Sequence, residues 1–192
     1  MSKEPITTPS TEGLAEAARA ARGKGIPPVE DWNPDLSGDM DLRIARDGTW
    51  YHEGTVIERA GLIKVFSSIL KREGDEFFLV TPVEKWRITV DDAPFVAVDV
   101  DAEGEGQAQA LIFETNVGDS VVAGPDHPIR VTRDSETGEP SPYVLVRRNL
   151  EALIDRKSFY RLVEMGVHHE GWFGVWSQSR FFGMIPSEDM DV

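Results

Sequence analysis

The sequence LRIARDGTWY, residues 42–51, has the pattern of two short strands joined by a turn. Leu42 and Ile44 alternate with polar or small residues, which is the pattern of a strand with one buried face. The Asp-Gly pair at 47–48 is a typical tight-turn sequence, and an aromatic pair follows it. We therefore predict a β-hairpin at this point of the chain.

A second hexapeptide repeats the start of this hairpin. The sequence IRVTRD at residues 129–134 is identical to LRIARD at 42–47 in three of six positions. Further along, segments with helical spacing near residues 60–71 and 157–166 are each followed by an aromatic hairpin. We predict an α+β protein with mostly antiparallel sheets and two main helices, in which a strand–hairpin–helix–hairpin unit occurs twice. Chance similarity between hairpins is the alternative.

The predicted organisation has five segments. They are a mobile tail with a short helix at 1–24, an irregular segment at 25–41, a first repeat with extra strands at 42–126, a second repeat at 127–186, and an acidic tail at 187–192. The short helix begins near Thr11 and ends before Gly23. Its only large apolar residue is Leu14, so we expect it to be marginal by itself.

Composition excludes several classes of function. The chain of 192 residues has a net charge of -14, which repels nucleic-acid phosphates and anionic membrane surfaces and argues against nonspecific nucleic-acid binding. The absence of cysteine excludes disulfides, thiol catalysis and cysteine-based zinc sites. No segment approaches the roughly 20 apolar residues of a spanning helix, and no signal peptide is visible. We therefore expect a cytoplasmic protein without membrane insertion, of undetermined oligomeric state.

Five segments resemble a bacterial family of unknown function, the one numbered 1285. They are LRIARDGTWYHEGTVIER, FLVTPVEKWRITVDDAPFVAVDV, FETNVGD, HPIRV and PSPYVLVRRNLEALIDRKSFYRLVE. The resemblance implies an α+β fold with a duplicated motif and a second half similar to pleckstrin-homology-like folds. It also implies a role in signalling or regulation, with a ligand between the two repeats. No activity is established for that family.

Motifs for catalysis and metal binding are missing. The chain has no phosphate-binding loop, no GxSxG elbow and no HExxH helix. Asp99, Asp101 and Glu103 begin like a calcium loop, but the twelfth position is Ala110 instead of glutamate. Alternation with apolar residues favours a strand whose acids face outward. We therefore predict neither a metal nor a cofactor.

The repeated Arg-x-x-Arg-Asp pattern points to an anion site or to structural ion pairs. Arg46 and Arg133 have the parity of the apolar strand positions, which predicts core-facing arginines that need a carboxylate or an anionic ligand. Candidate ligand residues are these arginines with polar and aromatic residues of nearby loops: Trp32, Asn33, Arg43, Arg46, Glu84, Lys85, Asn116, Arg130, Arg133, Tyr143 and Arg147.

The sequence favours a binding protein over an enzyme, because no nucleophile–base pair emerges from it. The expected partner is a small anionic ligand or a protein, bound between the two repeats. One alternative is a metal-independent, hydrolase-like enzyme that uses Glu84, His127 or Asp119. The other is an interaction scaffold that presents exposed sheet edges.

Overall fold

The computed structural model describes residues 10–21 and 25–191. Its chain forms two compact units, the first made of the chain up to Ala45 with Thr49–Asp91, and the second of Arg46–Gly48 with Asp92–Val192. Residues 1–9 of the predicted tail, and the predicted helix end at Gly23, lie outside the described residues.

The first unit is built on a six-stranded sheet. Its strands are β1 (Gly38–Ile44), β2 (Trp50–His52), β3 (Thr55–Val56), β4 (Leu70–Glu73), β5 (Glu76–Val80) and β6 (Lys85–Val90). Their order across the sheet is β3-β2-β1-β6-β5-β4. All neighbours are antiparallel except β1 and β6 at the centre, which are parallel. The predicted hairpin at 42–51 is confirmed as β1 and β2.

Two helices pack within the first unit. Helix α1 (Thr11–Ala21) buries Leu14 and two alanines, and it contacts α2 (Ala60–Ser68). Helix α2 is shorter than predicted, because the apolar residues after it enter β4 instead of a further helical turn. The rings of Trp50 and Phe66, both fully buried, stack with centroids 6.3 Å apart and form the centre of this core.

The second unit also begins with a six-stranded sheet. Its strands are β7 (Phe95–Glu103), β8 (Ala110–Thr115), β9 (Ser120–Val122), β10 (Ile129–Arg133), β11 (Pro140–Arg147) and β12 (Leu150–Ile154). The order is β10-β11-β12-β7-β8-β9, and the central pair β7 and β12 is again parallel. The acidic segment at 99–103 is thus part of a strand, as predicted, with its carboxylates half-buried or exposed.

A helix and a small sheet complete the second unit. Helix α3 (Arg156–Glu164) packs on β7 through Leu162 and Ser158, both fully buried. The chain then forms an antiparallel three-stranded sheet, β13 (Val167–His169), β14 (Trp172–Ser177) and β15 (Arg180–Pro186), and ends in a 3₁₀ turn at Ser187–Asp191.

The duplication is confirmed, but equivalent segments differ from those predicted. In each six-stranded sheet, two three-stranded meanders meet through one parallel pair, so β1 corresponds to β7 and β4 to β10. The similar hexapeptides at 42–47 and 129–134 begin in β1 and β10, which are not equivalent. Helix α2 precedes β4, whereas α3 follows β12. Short alternating strands resemble one another whatever their place in a sheet, so local similarity misassigned the copies.

Candidate functional site

The candidate site lies in the second unit, beside helix α3. Asp155 caps this helix, since its Oδ1 accepts a hydrogen bond from the backbone N–H of Ser158 at 2.8 Å. On the sheet side, the guanidinium of Arg161 donates to Asp99 Oδ1 and to the carbonyl of Val100. These contacts fix the rotation of α3 and leave Phe159 and Val163, one turn apart, on a partly exposed side of the helix.

Two adjoining cavities follow this outer side of α3. The first has a volume of about 390 Å³ and is lined by Arg46, Glu139, Pro140, Pro142, Leu153, Ile154, Asp155, Arg156, Phe159 and Tyr160. The second has a volume of about 300 Å³ and is lined by Arg133, Pro140, Phe159, Val163, Phe173, Met184, Ile185, Asp189 and Met190. Pro140 and Phe159 line both cavities, which therefore form one groove, named here the α3 groove.

Three arginines border the α3 groove. The Nε of Arg46 lies 3.0 Å from Asp92 Oδ2, and its Nη2 donates to Ser141 Oγ at 2.9 Å. Arg156 Nη2 lies 3.5 Å from Glu139 Oε1. In the described part of the chain, no carboxylate forms an ion pair with Arg133, which stands at the end of edge strand β10. Asp189 lines the same cavity as Arg133, but it is not among the ion pairs of the described residues.

The predicted core-facing orientation of Arg46 and Arg133 is wrong. The side chain of Arg46 is 60% exposed, because β1 ends at Ile44 and the strand alternation does not continue into the turn. Arg133 is also exposed, at the last position of β10. Both arginines nevertheless line the α3 groove, so their exposure leaves them accessible to a ligand.

Tyr143 connects Arg46 to Arg130 beside the α3 groove. The Tyr143 hydroxyl donates to Asp92 Oδ1 at 2.7 Å, and Asp92 is the partner of Arg46. The Arg130 guanidinium lies 4.3 Å from the centroid of the Tyr143 ring. It also donates to both oxygens of Glu151, at 2.6 and 2.7 Å, and this hydrogen bonding raises the pKa of Arg130.

Tyr143 should make stability depend on pH in the alkaline range. Burial, and then the hydrogen bond to Asp92, raise the pKa of Tyr143 above its usual value of about 10. The neutral phenol therefore stabilises the fold fully below about pH 10, and this contribution is lost as the pH rises through the folded-state pKa. We expect the unfolding free energy to fall more steeply above pH 10 in the parent protein than in Tyr143→Phe. Urea unfolding between pH 8 and 11 measures this, and parallel profiles would contradict it.

The other candidate residues of the second unit have structural partners. Asn116 Oδ1 accepts from the backbone N–H of Val96 at 3.0 Å. Arg147 is ion-paired with Asp119, and its guanidinium lies 4.9 Å from the Phe95 ring centroid. These contacts stabilise the sheet, and neither Asn116 nor Arg147 lines the α3 groove.

The two candidate catalytic residues of this unit also have structural partners. His127 Nδ1 lies 2.9 Å from the carbonyl O of Leu145, and Asp119 is occupied by Arg147. Neither residue lines the α3 groove. The third enzyme candidate, Glu84, belongs to the first unit, where its backbone N–H donates to Thr81 Oγ1.

In the first unit, three candidate ligand residues lie around Lys71, which was not predicted as a site residue. The buried Lys71 Nζ donates to the carbonyl O of Trp32 at 3.1 Å and to Asn33 Oδ1 at 3.0 Å. It lies 3.5 Å from Glu73 Oε1, and Lys85 Nζ lies 2.6 Å from the other oxygen. The hydrogen bond from Lys85 is the main cause of the lowered pKa of Glu73. This cluster fastens the irregular segment to β4.

The last candidate, Arg43, is a surface residue of the first unit. Its guanidinium is paired with Asp91 at 2.8 Å and lies 4.9 Å from the centroid of the Tyr51 ring. An exposed pair of this kind contributes little stability.

Much of the lining of the α3 groove was not predicted as part of a site. Phe159, Leu162 and Val163 have the spacing of one apolar helix face, but of these only Leu162 is buried, together with Ser158. With Tyr160, the apolar residues of this helix cover more of its surface than contact with one sheet requires. This width could have indicated a second apolar surface. The prolines at 140 and 142 gave no indication of a cavity wall.

The described residues contain neither a metal-binding cluster nor a membrane-spanning helix. Within residues 10–21 and 25–191, no group of three or more His, Asp or Glu side chains is arranged to hold a metal ion. None of the described helices is long and apolar enough to cross a membrane.

Comparison with protein families gives a match for each of the two units. Residues 27–93 match the N-terminal domain, described as a domain of unknown function (DUF1285), and residues 94–184 match the DUF1285 C-terminal domain of unknown function. The chain belongs to the DUF1285 family. The border between the two matched domains falls close to the border between the two compact units of this DUF1285 protein. The resemblance seen in the sequence is thereby confirmed.

Two solved DUF1285 structures are similar to this member. A DUF1285 protein from Silicibacter pomeroyi DSS-3 is 58% identical, with a TM-score of 0.87 over 94% of this chain and 98% of the other. A DUF1285 protein from Shewanella baltica OS155 is 30% identical, with a TM-score of 0.52 over 65% of this chain and 91% of the other. No curated protein matches this DUF1285 chain significantly.

Proposed function

We propose that this DUF1285 protein binds a small organic anion with an apolar body, and that the α3 groove is its site. The observation that carries the proposal is an apolar second cavity that adjoins a more polar first cavity, with three arginines around them, of which Arg133 has no ion pair among the described residues. Small-molecule sites are typically concave, mostly apolar, and fitted with a few polar groups that orient the ligand.

The apolar part of the ligand fits the second cavity best. Phe159, Val163, Phe173, Met184 and Met190 supply most of its wall. Phe173 and Met184 are almost fully buried, so they form a firm floor, whereas Met190 is 41% exposed at the rim. Methionine side chains adapt to irregular apolar ligands. An aliphatic or aromatic body of modest size would therefore displace water from this cavity.

The anionic part of the ligand fits the arginines. Arg133 at the rim of the second cavity offers an exposed guanidinium, which suits carboxylate and phosphate groups. Arg46 and Arg156 are paired with carboxylates, so they offer only their remaining donors. Because the whole chain carries a charge of -14, long-range repulsion opposes the ligand. We expect modest affinity and a clear dependence on salt.

Binding is favoured over catalysis by the lining itself. Among the described residues of the α3 groove, the titratable side chains are three arginines, Tyr160 and the acids Glu139, Asp155 and Asp189. Asp155 is used as a helix cap and Glu139 is paired with Arg156. The proposed function is therefore ligand binding without catalysis. This agrees with the regulatory role that the family resemblance implies. The site between the repeats, predicted from the sequence, stays a prediction.

Binding can be tested with octanoate and its uncharged counterpart octanamide. We expect octanoate to bind, as measured by calorimetry and by NMR shifts of methionine methyl groups, and octanamide to bind at least tenfold more weakly. The Arg133→Gln variant should bind octanoate about tenfold more weakly, since a charge-assisted hydrogen bond contributes roughly 1.5–3 kcal/mol.

The matched control is Arg180→Gln, which removes an exposed arginine outside the α3 groove. It should bind octanoate like the parent protein. Equal binding of octanoate and octanamide would overturn the anion assignment. If octanoate, octyl phosphate and a phenylalkyl carboxylate all fail to bind, the proposed function is wrong.

A further inference from the structure

The outer face of the small sheet β13–β15 is an exposed aromatic surface that no contact described above explains. A shallow cavity of about 250 Å³ opens on it and is lined by Trp172, Phe181 and Gly183. We call this cavity the aromatic slot. It shares no residue with the α3 groove, so it is independent of the proposed function.

Strand alternation separates the two faces of this sheet. Phe173, Val175, Phe182 and Met184 are buried and belong to the core. The opposite face carries Trp172, which is 46% exposed, beside Trp176 and Phe181, which are partly buried. Apolar residues of this size are expected in a core, and their exposure together marks an interaction surface.

The two walls of the aromatic slot are held in place. A Cβ on Gly183 would lie 3.0–3.3 Å from atoms of the Trp172 indole, so this ring rests on the backbone of β15. On its far side, Phe181 contacts Trp176, with ring centroids 5.3 Å apart, and His169, at 5.0 Å. The walls therefore need little ordering when a group enters between them.

Charges around the aromatic slot are acidic. Glu170 precedes Trp172 by two residues, and Glu188 follows Pro186, the strand partner of Trp172, by two residues. Both glutamates are exposed. The one basic residue on the three strands, apart from histidine, is Arg180, whose guanidinium lies over the ring of the buried Phe182 and thus not in the slot.

We propose that the aromatic slot binds an arginine side chain from a basic peptide segment of a partner protein. The planar guanidinium stacks on aromatic faces, and it is less strongly hydrated than the lysine ammonium, so it enters an apolar slot at lower cost. Glu170 and Glu188, together with the net charge of -14, attract a basic segment and repel nucleic acids. Charge complementarity therefore selects a basic peptide over a proline-rich one.

The test uses an acetylated and amidated Gly-Arg-Gly-Arg-Gly peptide, and the same peptide with citrulline in place of arginine. Citrulline keeps the shape of the side chain without its charge. We expect the arginine peptide to shift the indole N–H NMR signal of Trp172, which is assigned from its absence in Trp172→Leu. The citrulline peptide should bind at least about tenfold more weakly.

Variants separate a cation site from a merely apolar one. Trp172→Leu keeps an apolar, exposed side chain but removes the π face, and should weaken arginine-peptide binding about tenfold. The double change Glu170→Gln and Glu188→Gln should weaken it and reduce its salt dependence. The control Glu136→Gln with Glu105→Gln makes the same change of net charge on exposed turns elsewhere and should leave binding unchanged.

Each other result rejects the proposal. Equal binding of the arginine and citrulline peptides would indicate an apolar site. Binding of a proline-rich peptide in preference to the arginine peptide would indicate a different occupant. A dimer in sedimentation experiments that Trp172→Leu dissociates would assign the surface to a second copy of this chain. If millimolar arginine peptide does not shift the Trp172 signal, the aromatic slot is not an arginine-binding site.

Discussion

The Gly174→Ala variant is expected to lose at least about 3 kcal/mol of unfolding free energy, at the upper end of overpacking effects. A Cβ at this position would lie 2.0 Å from the carbonyl O of Phe182 and 2.9 Å from the Cα of Gly183. Because these are backbone atoms, no side-chain rotation relieves the overlap. Strands β14 and β15 would have to separate beside the irregularity between Phe173 and Gly174.

A second glycine provides the matched control. Gly61 lies in helix α2, and no atom of the described residues is within 4 Å of the position that its Cβ would take. Gly61→Ala should therefore stabilise the protein by about 0.5–1 kcal/mol, because alanine favours the helix and restricts the unfolded chain. Urea unfolding of both variants measures the difference. Equal midpoints for Gly174→Ala and the parent protein would show that the two strands can move apart freely.

Replacing Lys71 is expected to have the second largest effect, a loss of roughly 2–4 kcal/mol. Its side chain is 6% exposed. Its ammonium donates hydrogen bonds to the Trp32 carbonyl and to Asn33 Oδ1, and it forms an ion pair with Glu73. In Lys71→Ala these acceptors lose their donor, and the buried aliphatic stem leaves a cavity. Glu73 keeps Lys85, so the cost arises mainly at the irregular segment that contains Trp32.

Two further substitutions show where this cost arises. Lys71→Met restores most of the buried stem but no donor, so it should recover only part of the lost stability. Lys64→Ala removes an exposed lysine from α2 and should change stability by no more than about 0.5 kcal/mol. If Lys71→Ala behaved like Lys64→Ala in urea unfolding, the cluster around Lys71 would not be a fastening point.

Local features were predictable because they depend on neighbours in the sequence. The Asp-Gly turn after β1 and the hairpin of β14 and β15 follow from alternation and turn chemistry. The segment at 99–103 was also identified as a strand instead of a calcium loop. Even the marginal helix α1 was found, although its stability comes from packing against α2 that the sequence does not show.

Errors arose where an element ends or where distant segments meet. The orientation of Arg46 depends on β1 ending at Ile44, and a difference of two residues at a strand end turns an inward side chain into an exposed one. Ile69 and Leu70 continue the apolar spacing of α2, yet tertiary contacts draw Leu70 into β4. Propensity and periodicity are weak where a neighbouring strand can offer hydrogen bonds.

The α+β class, the presence of a duplication, the hairpins and the candidate arginines were all predictable from the amino-acid sequence. The tertiary structure decided which strands are equivalent, because the parallel pairs β1–β6 and β7–β12 join segments far apart in the chain. It also decided that Arg133 borders an apolar cavity, and that Trp172, Phe181 and Gly183 line one cavity. Such cavities are made by side chains of distant elements, and periodicity reports only which face of one element is apolar.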